Sequence, residues 1–537
     1  MSKRAIFLSV LFSLIFLVSI PLSEEVKASS IVNPKQTYSF EMMERDIIRL
    51  AQQYPHLIEY KVIGESEYGR PIYAVKLGRG LSTSYINGSN HAREWISTNL
   101  TMYMIDQYAQ AYQGSRTLGP YNVKGILDQH SFWFVPMINP DGVTLQQRGL
   151  SAFPSTAHSA LITMNNGSLS FQRWKANARG IDLNRQFNAN WNNLANDPGR
   201  PSWSNHRGSS PHSAKEVRAV LALTQEIDPE MAVSYHSSGQ ILFWNFHQTG
   251  AQLSRDRQHA QAISNMTGYP MMGVPSRTGG GGYTDWFIQE YKRPAFTPEL
   301  GTYVGNTHVP VSQFDRIWSQ NRLVGLYVGL HSHRAFESRL KASRVFVNIE
   351  VNGNYLGKST GAFSSRGRTM IPVRSIFEEL GATVRWDAQK RSVFVTTADT
   401  TIELPLNKQE AFVNNQPVAL DAPALALDGT TFVPLRFISE AIGAQVEWNQ
   451  SSMLVRITHS PQQINSLDAE TEDETADEEE PIEEVLNEEA SSDELVEPSG
   501  KETDNLEDHD SSNTEDDQDN TEIEEDTATK EVDELDE

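Results

Sequence analysis

Three features predict an α/β unit, then a duplicated α+β unit, then a disordered acidic tail. Short apolar runs alternate with helix-like segments from about residue 38 to 335, the pattern of helices layered on a sheet. A block of 18 residues recurs with a shift of 62. The final segment, 461–537, is dominated by Glu, Asp, Ser, Thr and Asn.

In chain order, Lys3 and Arg4 precede an apolar run from Ala5 to Ile20, then Pro21 and Val26-Lys27-Ala28. This predicts a secretory signal over 1–28, cut after Ala28, and hence a secreted protein. An uncleaved anchor helix is the alternative; Pro21 and the Val-x-Ala site argue against it. No second apolar run reaches membrane-spanning length, so no span is expected once the signal is removed.

The first globular unit is expected over 32–335. Residues 38–60 read as a helix, with Met42, Ile47, Ile48, Leu50 and Ala51 apolar. EYKVIGESEYGRPIYAVKLG gives two β-branched runs around a turn. HSFWFVPMINPDG and PEMAVSYHSSG are apolar runs that end in polar residues, and strand ends are where α/β proteins collect functional side chains.

The duplicated unit is expected over 343–460. MIPVRSIFEELGATVRWD (370–387) returns as FVPLRFISEAIGAQVEWN (432–449), and VNG (351–353) as VNN (413–415). Two copies of so long a period suit a doubled α+β unit better than a solenoid. Residues 461–537 carry 34 Asp and Glu against 2 Lys, net −32. Of 69 acids and 45 bases in all, that leaves 35 and 43 in the first 460 residues, a body of net +8. The acidic segment has too little apolar surface to offset chain entropy. No long basic tract points to nucleic acid.

The chain has no cysteine, which excludes disulfides, thiolate ligands and a cysteine nucleophile. A metal site must therefore use His, Asp or Glu. NHAREW (90–95) sets His91 and Glu94 three apart, between the strand-like SYING and a helix-like stretch. The spacing alone fits two solvated surface residues equally well, since positions i and i+3 meet on any helix. A catalytic zinc takes three protein ligands and leaves one position open. His236, after the apolar run Met231–Tyr235, is the best third candidate, although 14 histidines make any single one ambiguous. RWKANARGIDLNRQF (173–187) packs Lys175, Arg179, Asn184 and Arg185 into a short loop. A guanidinium beside an amide suits a carboxylate, and a solvated basic loop is the plainer alternative. Glu299 ends the strand-like PAFTPE, where a carboxylate facing bound water can serve as general base or stand in a salt bridge.

HxxE, then GxDxNR, a strand-end histidine, GGxxDW and a strand-end glutamate, in this order over roughly 32–335, resemble the zinc metallocarboxypeptidase family. Within it, GSNHAREW, YHSSGQILFWNFHQ and GGYTDWFIQEYKRP look closest to bacterial enzymes that cut the γ-D-glutamyl–diamino acid bond of peptidoglycan stem peptides. The duplicated unit resembles the stalk module first named from copper amine oxidases; it holds no His cluster, so no copper is expected.

The resemblance implies a mixed central sheet flanked by helices, and one Zn2+ per catalytic domain held by His91, Glu94 and His236. Glu299 is implied as general base, Asn184 and Arg185 as the grip on the substrate's terminal carboxylate, and Arg93 as facing the substrate near the metal. Two positions depart from the family. Lys175 stands where an oxyanion-stabilising arginine is usual, and Arg277 where a mobile tyrosine is usual. Thr284 falls where side-chain preference is set and, being neutral, indicates neither a basic nor a bulky apolar preference. The expected activity is a secreted, cell-wall-associated peptidase. A general peptide-scavenging carboxypeptidase is the alternative, and a non-catalytic wall-binding protein on the same fold is a third reading, against which the full set of ligands and base counts. The 343–460 unit is the candidate for wall association, with a structural spacer as the plainer reading.

Overall fold

A computed structural model describes residues 30–273, 277–365 and 367–459. The expected signal at 1–28 and the acidic segment at 461–537 lie outside the described residues.

The first helix, α1 (Phe40–Gln53), starts where the Ser39 side chain accepts from Met42 N and buries Met43, Ile47 and Leu50. It stops well short of the expected residue 60. Pro55 disfavours helical geometry at Tyr54 and cannot donate a helical hydrogen bond, so the chain turns and enters β1 (Ile58–Glu65). β1 forms a hairpin with β2 (Pro71–Gly78). There follow β3 (Ser82–Asn87), α2 (Ile96–Gln113), a small hairpin of β4 (Thr117–Leu118) and β5 (Tyr121–Asn122), and α3 (Val123–Gln129). Then come β6 (His130–Val135), α4 (Pro140–Arg148), α5 (Ser155–Met164), α6 (Lys215–Ile227) and β7 (Ala232–Ser234). The unit closes with β8 (Leu242–Phe243), α7 (Gly250–Thr267), α8 (Tyr283–Tyr291), β9 (Ala295–Pro298), α9 (Phe314–Asn321) and α10 (Val324–Ala342).

Seven strands make one mixed sheet in the order β1-β2-β6-β3-β7-β9-β8. β6, β3, β7 and β9 run parallel, and the outer pairings are antiparallel. Successive residues of a strand point to opposite faces, and the core follows that rule. Ile86, Phe134, Val233 and Phe296 pack on the side of α1, α2, α3, α7, α9 and α10. Tyr85, Val135, Ala232 and Ala295 pack with α6 and α8 on the other. Gly64 permits the close approach of α6 to β1, because a Cβ there would sit 2.8 Å from Ala219 Cβ.

Residues 345–458 have their own core, built on Ile349, Ile371, Phe377, Val433 and Ile438. A strand (Arg368–Pro372), helix (Val373–Glu379) and strand (Thr383–Asp387) recur as Thr430–Pro434, Arg436–Ile442 and Gln445–Asn449. The doubled α+β pattern is thus realised element by element. The turns repeat as well: Asn352 and Asn414 both take left-handed φ, 48° and 49°, the conformation a tight hairpin turn requires. Met370 pairs with Pro434, setting the copies side by side. This unit meets the sheet domain through Arg391, which contacts the Asp128 carboxylate at 3.1 Å and donates to the Asp128 carbonyl at 2.6 Å.

Candidate active site

Three adjacent parallel strands end at the same edge of the sheet and deliver three functional segments. β3 runs into Gly88-Ser89-Asn90-His91, β7 into His236 and β9 into Glu299. His236 and Glu299 are themselves paired in an isolated parallel bridge, so the two strand-end residues share one register. Such an edge is where open α/β sheets place their sites.

Glu94 lies in a single 3-10 turn, Ala92–Glu94, ahead of α2, rather than in the first turn of an α-helix. The tighter turn carries its carboxylate back over His91. His91, Glu94 and His236 are 5, 4 and 1 % exposed. Glu94 Oε1 is 2.8 Å from His91 Nδ1, Glu94 Oε2 is 2.9 Å from His236 Nδ1, and the two Nδ1 atoms are 3.1 Å apart. Among the described residues, this is the one cluster of such side chains whose donor atoms converge closely enough to hold a metal. Ligand atoms ~2.0–2.1 Å from a tetrahedral zinc lie ~3.3 Å from one another, so two imidazole nitrogens and a carboxylate at these spacings fit that ion with little adjustment. Burial opposes charge on Glu94, but His91 and His236 outweigh it and hold its pKa well below the usual range.

Behind the cluster stands Asp182, which carries no assigned role in the sequence reading although it is the Asp of GxDxNR. It is fully buried and accepts from four donors. His91 Nε2 (3.1 Å) and Asn184 N (3.0 Å) meet Oδ1, and Lys175 Nζ (3.0 Å) and Asn205 N (3.1 Å) meet Oδ2. Burial again opposes ionisation, and Lys175, His91 and Arg185 overcome it. A carboxylate on the far nitrogen of a histidine fixes its tautomer and leaves the near nitrogen free to bind metal. Asn90 Nδ2 approaches His236 Nε2 at 3.4 Å and donates to Asn87 and Ser234, steadying the second ring.

Lys175 is 12 % exposed in its side chain and held between Asp182 and Asn205 Oδ1, 3.3 Å away. Burial lowers its pKa against the pull of Asp182. The carboxyl of Glu299 is pushed up to about 7 by burial and by Glu94, against the pull of His236, Lys175 and Arg93. Arg93 donates to Arg173 O at 3.0 Å. Asn184 and Arg185 share a 3-10 turn; Asn184 Oδ1 accepts from Tyr283 N at the start of α8, and Arg185 Nη1 donates to Asn184 O. Thr284 is buried and hydrogen-bonded to Thr297 at 2.7 Å. Arg277 is exposed, its carbonyl bound by Asn190 Nδ2, and its side chain makes no contact with the cluster among the described residues.

The family model described as zinc carboxypeptidase matches residues 43–324. The chain belongs to the zinc carboxypeptidase family. It is therefore a peptide hydrolase that uses one zinc. Residues 350–457 match the model described as copper amine oxidase N-terminal domain. The chain is 33 % identical over 302 residues to gamma-D-glutamyl-L-diamino acid endopeptidase 1 of Lysinibacillus sphaericus, covering 56 % of this chain and 74 % of that protein. It is 27 % identical over 207 residues to mast cell carboxypeptidase A of Homo sapiens, covering 37 % of this chain and 45 % of that one. A solved structure of thrombin activatable fibrinolysis inhibitor overlays with TM-score 0.46 and 21 % identity, over 56 % of this chain and 75 % of that one.

Proposed function

We infer that this zinc carboxypeptidase acts outside the cell on peptidoglycan stem peptides, cutting the bond between γ-D-glutamate and the diamino acid. The observation that carries the substrate is the likeness to the L. sphaericus endopeptidase, which spans 74 % of that protein at 33 % identity. Export and wall association rest on the 1–28 leader sequence and on the second domain. No helix among the described residues is long and apolar enough to cross a membrane.

His91, Glu94 and His236 would hold the zinc, their Nδ1 atoms and the Glu94 carboxylate being the atoms that converge. Zinc bound there supplies Lewis acidity toward a carbonyl oxygen and acidifies water. Glu299 takes the proton from the attacking water and returns it to the leaving amine. Lys175, fixed on Asp182 and Asn205, and Arg93 offer positive charge to the oxyanion; an ammonium provides charge but not the paired geometry of a guanidinium. Asn184 and Arg185 bind the substrate's terminal carboxylate, with Arg277 at the exposed rim as a further cation and Thr284 lining the side-chain pocket.

Mass spectrometry of products from stem peptides and, separately, from N-blocked ordinary peptides tests the reading. Scission between γ-D-glutamate and the diamino acid is expected. Release only of single C-terminal residues from ordinary peptides would instead mark a general scavenging carboxypeptidase.

A further inference from the structure

Lys175, Asp182, Asn184 and Arg185 all stand on one short segment, and part of what fixes that segment lies away from the metal cluster. Its two arms are clipped together between Asn177 and Ile181. Asn177 N donates to Ile181 O at 2.8 Å, and Gly180 N to Asn177 O at 3.0 Å. Asn177 Oδ1 accepts from the backbone N–H groups of Arg179 and Ile181, each at 3.0 Å. With the oxygen so used, the side-chain NH2 group points the other way and needs an acceptor. That acceptor is Glu216 Oε2, 3.2 Å away in the first turn of α6. The start of α6 also meets the far end of the segment, where Ala214 N donates to Gln186 Oε1 at 2.9 Å, next to Arg185.

Glu216 and Asn177 are both 0 % exposed. Glu216 Oε1 meets no donor, and among the described residues no cation pairs with this carboxyl. The charges that face it are of its own sign: Glu67 in the β1–β2 turn and Asp141 at the start of α4. Cations on the surrounding elements are engaged elsewhere. Arg70 holds Asp141 at 2.6 Å, the Arg179 guanidinium lies 5.0 Å from the Tyr68 ring, and Lys215, beside Glu216 on α6, is exposed. A buried carboxylate without a cation is strongly disfavoured, so the group stands as a neutral acid, its pKa raised to about 8 by burial first and by Glu67 and Asp141 after it. No step of the hydrolysis uses this acid directly. A glutamine would hold Asn177 equally well at every pH, whereas a glutamic acid holds it only while protonated. Once ionised, the charge is relieved by entering water or by the side chain swinging out, and either route opens the contact between α6 and the segment.

We propose that Glu216 is a positioning residue for hydrolysis: as a neutral acid it holds, through Asn177, the segment that carries Lys175, Asp182, Asn184 and Arg185, and on ionisation it releases that segment. This goes beyond the substrate reading and holds for any peptide the enzyme cuts. The zinc-loaded full chain and its Glu216→Gln variant are compared on the tripeptide L-Ala-γ-D-Glu-diamino acid, or on an N-blocked peptide with a free C-terminus where only that is cut. Values of kcat/KM are taken from pH 6.5 to 9, at a temperature where circular dichroism shows both proteins folded. Other titrating groups cancel in the ratio of variant to parent. Set to one at pH 6.5, that ratio should rise to about tenfold at pH 9, one pH unit above the midpoint of the acid. A purely structural role would move the melting temperature and leave the ratio flat, so a ratio within twofold of one at pH 9 overturns the proposal. A second measurement needs no variant. Hydrogen exchange of residues 177–187 in the parent, corrected for the intrinsic rise with pH, should lose about tenfold in protection between pH 7 and 9. Unchanged protection overturns the proposal as well.

Discussion

Asp182→Asn is the most informative single change, because one buried carboxylate joins the metal cluster to Lys175. The substitution keeps the shape and keeps Oδ1 for His91 and Asn184. It turns an NH2 group toward Lys175 Nζ and Asn205 N, which now donate to Oδ2. Two accepted hydrogen bonds become donor–donor contacts. Removing one partner of a buried ion pair typically costs about 3–5 kcal/mol. Lys175 Nζ keeps Asn205 Oδ1 as an acceptor and its side chain is 12 % exposed, which holds the loss near the lower end, about 3 kcal/mol. Loss of an outer carboxylate from a metal-bound histidine weakens metal affinity by about 10–100-fold. The expected variant is folded, less stable by about 3 kcal/mol, and binds zinc 10–100-fold more weakly. Urea unfolding of the metal-free protein measures the first effect, and competition with a chromogenic chelator the second. Zinc affinity within twofold of the parent, with an unchanged urea midpoint, would refute the role given to Asp182.

Four further outcomes follow. Glu299→Gln should lower kcat by about 10²–10⁴ while the protein still binds one zinc, read by metal analysis beside steady-state kinetics; a variant that keeps parental kcat contradicts Glu299 as base. Arg185→Ala should raise KM by about 10–100-fold for substrates ending in a free carboxylate and far less for their C-terminal amides, the charged hydrogen bond being worth about 1.5–3 kcal/mol. Burial raises the carboxyl of Glu216 from 4.5 to about 8, so the folded state holds a proton that the unfolded state has lost across that window, and stability falls as pH rises through it. The loss approaches about 1.4 kcal/mol per pH unit, and Glu216→Gln should flatten that part of the melting-temperature profile; a profile with the parental slope removes Glu216 as its source. Arg391→Ala should loosen the second domain by removing its contacts with Asp128, both partners being mostly buried, so that calorimetry shows two separated transitions where the parent shows greater overlap.

The chemistry-bearing residues of this fold were legible where local sequence carries the signal. A strand-end histidine, HxxE and a strand-end glutamate are each written within a few residues, and the structure brings His91, Glu94, His236 and Glu299 to one sheet edge. The duplicated unit was legible because its evidence is self-similarity, which needs no knowledge of contacts. The helix expected over 38–60 ends at Gln53 because Pro55 breaks it, a local effect that outweighs apolar periodicity. The roles of Asp182, Asn205 and Asn90 are not legible in the sequence for another reason. Their roles are set by partners far along the chain, as with Asp182 and His91, 91 residues apart, or Asn90 and His236, 146 apart. The one available hint was the Asp inside GxDxNR, a buried acid in a loop otherwise rich in cations. Glu216 shows the same limit. Its sequence position reads as an ordinary acid in the first turn of a helix, while the fold buries it against Asn177, whose side-chain oxygen binds the amides of Arg179 and Ile181.

The central claim is that two Nδ1 atoms and the Glu94 carboxylate hold the zinc used in hydrolysis. Diffraction from zinc-loaded crystals on either side of the zinc absorption edge tests it most directly. The account predicts one anomalous peak, about 2.0–2.2 Å from His91 Nδ1, His236 Nδ1 and a Glu94 carboxylate oxygen, with Asp182 still on His91 Nε2. A peak held through Nε2 of either ring, or by residues other than these three, would contradict it.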